Sequence, residues 1–399
     1  MPLNSRQEFA LLITLMLVMF STIVDFMIMM PLASYLMAEM HVNTAQFGLL
    51  VSAYSLAAGC SSLLASSLAD RFDRRHALLF CYAGLMLATL ACGLAGGFVS
   101  LLLARILAGV FGGVIGSICL AIVGDVVPPE RRGQAMSWVM LGFSLSAVAG
   151  VPLGLWLAAH YGWRVPFIVL TLICMVIALA MVKCVPPVRS HLAQLDRNAT
   201  LLDNYRELLR ERNHWWAVGL TAMLMISGFL VIPFIAPTMV ANIGISPHDL
   251  MYVYLVGGAA TIFSRPMIGR LTDRYHAPHV VGWLIVLSFI PIVLVTQSLP
   301  WSLPWQLAIS ALFFVFVSGR FIPATAMVTA ATHPHLRGRL MAFNSAIQNF
   351  ASGSASLLAG LILTQQGNGY LANYGWIGVL SCVAGLLAIW VARQIKAVS

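Results

Sequence analysis

The chain has 399 residues, of which 60% are hydrophobic and only 9% charged, with a mean hydropathy of +0.91. A soluble chain carries roughly 25% charged residues, so a water-facing globular protein is excluded and most of this surface must meet lipid. The net charge of +9 would fit a nucleic-acid partner, but it is scattered over short gaps between apolar stretches, where it acts as a topology determinant and attracts anionic headgroups.

Twelve apolar segments follow one another: 9–37, 45–69, 76–98, 100–127, 133–159, 164–185, 213–241, 248–271, 279–299, 304–332, 339–364 and 371–392. Each is long enough to cross a ~30 Å hydrocarbon core as a helix. The first exceeds a signal-peptide core and lacks a small-residue cleavage site, so it is expected to be retained. All but four of the 22 Lys and Arg residues lie in the tails or in every second gap, for example Arg71, Arg74, Arg75, Arg131, Arg132, Arg270, Arg274, Arg337 and Arg339. Positive charge stays inside, which predicts both termini in the cytoplasm. The exceptions are Arg164, at an outer gap, and Arg105, Arg265 and Arg320, within segments. The seven cysteines fall in or beside segments without CxxC spacing and read as small polarizable packing residues.

The one long gap, 187–212, divides the chain into a six-segment half at 1–186 and another at 213–399. Within it, Thr200 to Arg212 spaces Leu201, Leu202, Tyr205, Leu208 and Leu209 on one face and Asp203, Arg206, Glu207 and Arg210 on the other. That pattern predicts an amphipathic helix lying on the inner membrane surface. The halves also repeat each other. Leu68-Ala69-Asp70-Arg71 follows segment two and Leu271-Thr272-Asp273-Arg274 follows segment eight. Arg132-Gly133 and Arg337-Gly338 open segments five and eleven. Tyr161-Gly162-Trp163 and Tyr374-Gly375-Trp376 precede segments six and twelve. Such a parallel duplication predicts two bundles with a binding site between them at mid-membrane, exposed alternately to either side.

The stretch Ser66-x-Leu68-Ala69-Asp70-Arg71-Phe72-Asp73-Arg74-Arg75 resembles the loop 2–3 signature of the major facilitator superfamily, G-x-L-a-D-R-x-G-R-[RK], with Ser66 and Asp73 in place of its glycines. Leu102-x-x-Arg105-x-x-x-Gly109 is similar to a second motif of that family. Gly142, Gly150, Pro152 and Gly154 resemble its antiporter motif, in the GVPLG form found in arabinose-efflux-like permeases. The resemblance implies an all-α membrane fold of 12 transmembrane helices in two pseudo-symmetric bundles. Segments one, four, seven and ten would line the cavity, in the manner of a drug:proton antiporter or a sugar or metabolite exporter.

Asp25, Arg105 and Arg320 lie on three of those four segments. A carboxylate at mid-membrane costs ~2.5–3.5 kcal/mol on insertion scales. Asp25 is therefore either a proton carrier that Arg105 holds ionised in one state and releases in another, or half of a structural ion pair. Arg320, followed by Pro323, is a candidate contact for a polar or anionic substrate, or a guanidinium satisfied by neighbouring carbonyls. Asn344, Gln348 and Ser352 form a polar stripe on segment eleven that serves as cavity wall or interhelix glue. Pro233 and Pro237 mark a mobile outer gate, and Arg265 reads as a snorkelling or gate residue. The family resemblance makes Asp70, Arg71, Arg74 and Asp125 an inner gate; Asp273 and Arg274 are its counterpart in the second half, where no acid matches Asp125. The small stripe Ser52, Ser55, Gly59, Ser62 and Ser66, and the glycines of segment five, are expected to pack the halves together.

His276, His279, His333 and His335 have no acid or Cys cluster beside them, so no metal is expected. No nucleotide-binding, HExxH or GxSxG pattern occurs, which excludes ATP hydrolysis and points away from an enzyme. The expected function is proton-coupled export of a small molecule (sugar-like, a polar or anionic metabolite, or a drug) by a monomer in the inner membrane of a bacterium. The proton gradient would be its energy source, with no cofactor and no nucleic-acid partner. Export of lipophilic cations, metabolite uptake or facilitated diffusion, and a membrane sensor are the alternatives.

Overall fold

A computed structural model of the chain describes residues 4–68, 72–188, 208, 210–333, 336–367 and 369–398. The fold is helical apart from a two-stranded antiparallel hairpin that pairs Thr364 with Ala372 and Gln365 with Leu371. Ten helices among the described residues are long and apolar enough to cross a membrane. Leu250–Arg274 and Arg337–Ile362, with 25 and 26 residues, are equally long but more polar. Asp70, Arg71, His335 and most of the expected amphipathic helix (200–207 and 209) lie outside the described residues.

Several segments are broken where their sequences dictate. Segment one is a helix over Ser5–Ile28, a turn, and a short helix over Ala33–Glu39. Pro31, which lacks a backbone donor, sits in the turn. Asp25 is therefore in the last turn of the long helix, close to the middle of the segment. Segment five runs Arg132–Leu145, a π-turn over Ser146–Gly150, and Val151–Tyr161, with Pro152 in the first turn of the last helix. Segment seven follows a regular helix, Arg212–Val231, with 3-10 and π turns around Pro233 and Pro237. Segment ten divides at Arg320 into Leu303–Gly319 and Phe321–Ala330, three residues before Pro323.

The helix ends collect at two faces. At the Arg-rich end of the first half, Arg131 bonds Glu8 at 2.9 Å and Arg74 pairs with Asp125 at 3.2 Å. At that end of the second half, the Asn213 amide donates to Ala331 O and Lys396 O, which ties segments seven and ten to the C-terminal tail. Leu208 is buried there against Val218, Val328, Leu336 and Leu340.

The opposite, charge-poor end holds one apolar core built from both halves: Leu32, Phe47 and Trp163 from the first, and Phe234, Leu250, Phe313 and Tyr374 from the second. Towards the Arg-rich end the core divides. One cluster contains only residues 11–188, and the others only residues 208–392. The halves thus meet at the charge-poor end and have separate interiors at the other.

Close backbone approach makes that junction. Lipid tails are as apolar as leucine, so van der Waals packing and interhelical hydrogen bonds hold helices together. A Cβ on Gly360 would sit 2.6 Å from Thr44 O and 3.0 Å from Gly48 Cα. The Thr44 hydroxyl donates to Leu363 O at 2.7 Å. Phe47 and Phe234 pack edge to face with ring centroids 5.6 Å apart.

The small-residue surfaces divide differently from expectation. Ser52 and Gly59 do face segment eleven, at Gly353 and Phe350, but the Ser62 hydroxyl donates to Gly113 O of segment four in its own half. Gly142, Gly150 and Gly154 face Met16, Val24 and Ile28 of segment one, again in the same half. The contact of segment five with the other half falls at Ala147, whose carbonyl lies against Gly258. Small residues on a helix line whichever neighbour comes closest, and here that neighbour is mostly within the bundle.

Candidate functional site

Helices of segments one, three and four place Asp25, Thr89 and Arg105 together inside the first half. Asp25 is 1% exposed and Arg105 0% exposed. The Arg105 guanidinium donates to Asp25 Oδ2 and to Asp25 O, both at 3.1 Å. The Thr89 hydroxyl donates to Asp25 Oδ1 at 2.8 Å. The carboxylate thus has a partner on each oxygen, the condition under which a buried ion pair is tolerable. The Arg105 Nε has no hydrogen-bond partner among the described residues.

Tyr54 of segment two, buried, completes this group. Its ring lies under the guanidinium, with Cζ 4.5 Å from the ring centroid. Gly109 of segment four gives the tyrosine its place, because a Cβ there would collide with Tyr54 O. The Tyr54 ring also meets Phe26, with ring centroids 5.1 Å apart. Phe26 in turn meets Phe229 of the second half at 6.0 Å. Adjacent residues Asp25 and Phe26 therefore face different ways: the acid into its own bundle, the ring towards the opposite half. Tyr54, Thr89 and Phe229 were not singled out from the sequence. Phe26, the neighbour of the one intramembrane acid, carried the only local hint.

Arg320 occupies a related position in the second half. It is 0% exposed. Its guanidinium donates to Ser227 Oγ at 3.1 Å, Ser288 Oγ at 3.5 Å and Leu224 O at 3.0 Å. These partners lie on segments seven and nine, the counterparts of segments one and three. Each half thus holds an arginine of its fourth segment against its first and, in the second half, its third, with serine in place of aspartate. Arg320 forms no ion pair among the described residues. The three intramembrane charges do not share one cavity cluster, because each is held by bonds within its own bundle.

Asn344 is buried and accepts the Thr221 hydroxyl, joining segments eleven and seven. Gln348 is half-buried one turn further on. Ser352 bonds its own helix at Asn349 O. Arg265 reaches across the halves: its guanidinium donates to Ser144 Oγ at 3.3 Å and lies 5.1 Å from the Phe143 ring centroid. At the Arg-rich end Arg74 and Asp125 are brought together, whereas Asp273 and Arg274 are exposed and form no ion pair among the described residues. Among the described residues no three His, Cys, Asp or Glu side chains gather to hold a metal.

Two helical bundles, each with a buried arginine and joined at one end, in a chain with ten helices among the described residues long and apolar enough to cross a membrane, define a multi-pass membrane protein. The sequence profile of the Major Facilitator Superfamily matches residues 15–232 and again 218–397. The chain belongs to that superfamily. It is 26% identical over 397 residues to a "probable sugar efflux transporter" of Helicobacter pylori strain G27, covering 98% of this chain and 97% of that one. Its fold is similar to that of a D-xylose-proton symporter, with TM-score 0.76, 15% identity, and 95% and 97% of the two chains covered. A nucleoside transporter is similar as well, with TM-score 0.76, 12% identity, and 98% and 99% covered.

Proposed function

We infer that this chain is a proton-driven exporter of a sugar-like or other polar small molecule, with Asp25 as its proton carrier. The carrying observation is the buried Asp25–Arg105 pair. Through Tyr54 and Phe26 it stands two ring contacts from Phe229 of the other half. A movement of one half against the other changes the packing on Phe26. It thereby changes how firmly Arg105 holds the carboxylate, which is the differential interaction that coupling requires. The efflux names of the relatives support the direction of transport.

On this reading twelve helices cross the bacterial inner membrane with both termini in the cytoplasm, and the Arg-rich end faces inward. The separation of the cores there fits access from the cytoplasm. Arg320, Asn344 and Gln348 supply polarity on the second half, and the Arg74–Asp125 pair belongs to the inner gate together with Asp70 and Arg71. The second-half residues Asp273 and Arg274 form its weaker counterpart. The glycines and Pro152 of segment five set how segment one can move.

The test is transport in proteoliposomes against a panel of pentoses, hexoses, nucleosides and lipophilic cations, with and without an imposed proton gradient. A sugar driven by the gradient in the wild type, and exchanged without gradient dependence by Asp25→Asn, supports the reading. Gradient-driven transport that survives Asp25→Asn removes Asp25 from coupling. Transport of lipophilic cations alone makes the chain a drug exporter.

A further inference from the structure

His160 lies in the last turn of helix Val151–Tyr161 in the first half, and His248 just precedes helix Leu250–Arg274 in the second. Their rings meet at the charge-poor end, with centroids 5.3 Å apart and planes at 82°. Both side chains are exposed. The pair therefore bridges the two halves where their shared core reaches the surface.

The surroundings of His160 prepare it as a ligand. Its Nδ1 is 2.8 Å from Trp156 O. A carbonyl oxygen can only accept, so Nδ1 carries the proton and the neutral ring keeps its lone pair on Nε2. Metal-binding histidines are oriented in the same way, with the second ring nitrogen donating to a carbonyl or carboxylate. The Trp156 ring, 4.6 Å away, restricts the imidazole further. Two imidazoles on one tetrahedral ion, bound at ~2.1 Å, place their ring centres about 5 Å apart. The observed centroid separation of 5.3 Å matches that spacing.

We propose that His160 and His248 form a two-imidazole site for a borderline-soft divalent cation of the Zn2+ or Ni2+ type, with water in the remaining positions. The ion takes one ligand from each half, so it binds the state in which the charge-poor end is closed and stabilises that state over the others. The site is independent of the transported substrate and of Asp25.

Thermal unfolding of the tag-free, detergent-solubilised protein tests it, with Zn2+, Ni2+ or Mg2+ as the only added ligand. Zn2+ and Ni2+ are expected to raise Tm, and Mg2+, which prefers oxygen ligands, is not. His160→Gln and His248→Gln should each abolish the shift while leaving the metal-free Tm unchanged, since both side chains are at the surface. The double variant His276→Gln/His279→Gln, which removes the other close imidazole pair (centroids 6.2 Å apart), should keep the shift. No shift in the wild type, or a shift that survives either single substitution at His160 or His248, overturns the proposal.

Discussion

Asp25 and Arg105 have opposite sensitivities to substitution. Arg105→Ala leaves a buried carboxylate with only the Thr89 hydroxyl and should destabilise the protein by ~3–5 kcal/mol. Asp25→Asn leaves one amide oxygen to accept from Thr89, and Arg105 keeps the backbone carbonyl of residue 25, so the loss should be smaller. Thermal melting of both variants in one detergent checks the order; equal losses would mean that the pair acts as a unit whichever member is removed. Thr89→Val removes one hydrogen bond to a charged group, worth about 1.5–3 kcal/mol, and its melting temperature should lie between wild type and Arg105→Ala.

At the scale of elements, segments two and eleven approach so closely that only glycine fits at the crossing. Gly360→Val would drive side-chain atoms into Thr44 O and Gly48 Cα. The expected effect is a loosened charge-poor end. Alkylation of a reporter Phe47→Cys, buried in the shared core, should speed up several-fold in the Gly360→Val background. An unchanged rate would mean that the two helices part elsewhere.

For the whole molecule, the joined and divided cores predict which end can be locked. Crosslinking a Phe47→Cys/Phe234→Cys protein with a bifunctional methanethiosulfonate, which fills the space of two parent rings 5.6 Å apart, should link the halves and stop substrate exchange, with recovery on reduction. Exchange that continues in the linked protein would remove this end from the transport cycle. Orientation has its own test: a reporter fused to the C-terminus should be active only on the cytoplasmic side. Periplasmic activity would reverse the assignment of both ends.

Periodicity and charge alone determined that the chain is a multi-pass membrane protein, and its repeated motifs predicted two related halves. Lipid imposes those features on the sequence directly, through apolar length and the exclusion of charge. That Asp25 would need a partner was legible for the same reason, since a charge within an apolar segment is costly alone. The neighbours of the pair were not. Tyr54, Thr89 and Phe229 are ordinary residues in membrane helices, and only the crossing of segments one to four and the junction with segment seven bring them to the ion pair. The segment-five glycines were read as a seam between halves, yet they pack against segment one, because a helix pattern says which face is small and not which helix that face meets. Arg320 shows the same division. Its burial followed from sequence, whereas its setting among serines rather than carboxylates depended on contacts with residues 32 to 96 positions away. Local chemistry fixes what each helix must satisfy, and the packing of distant helices decides what satisfies it.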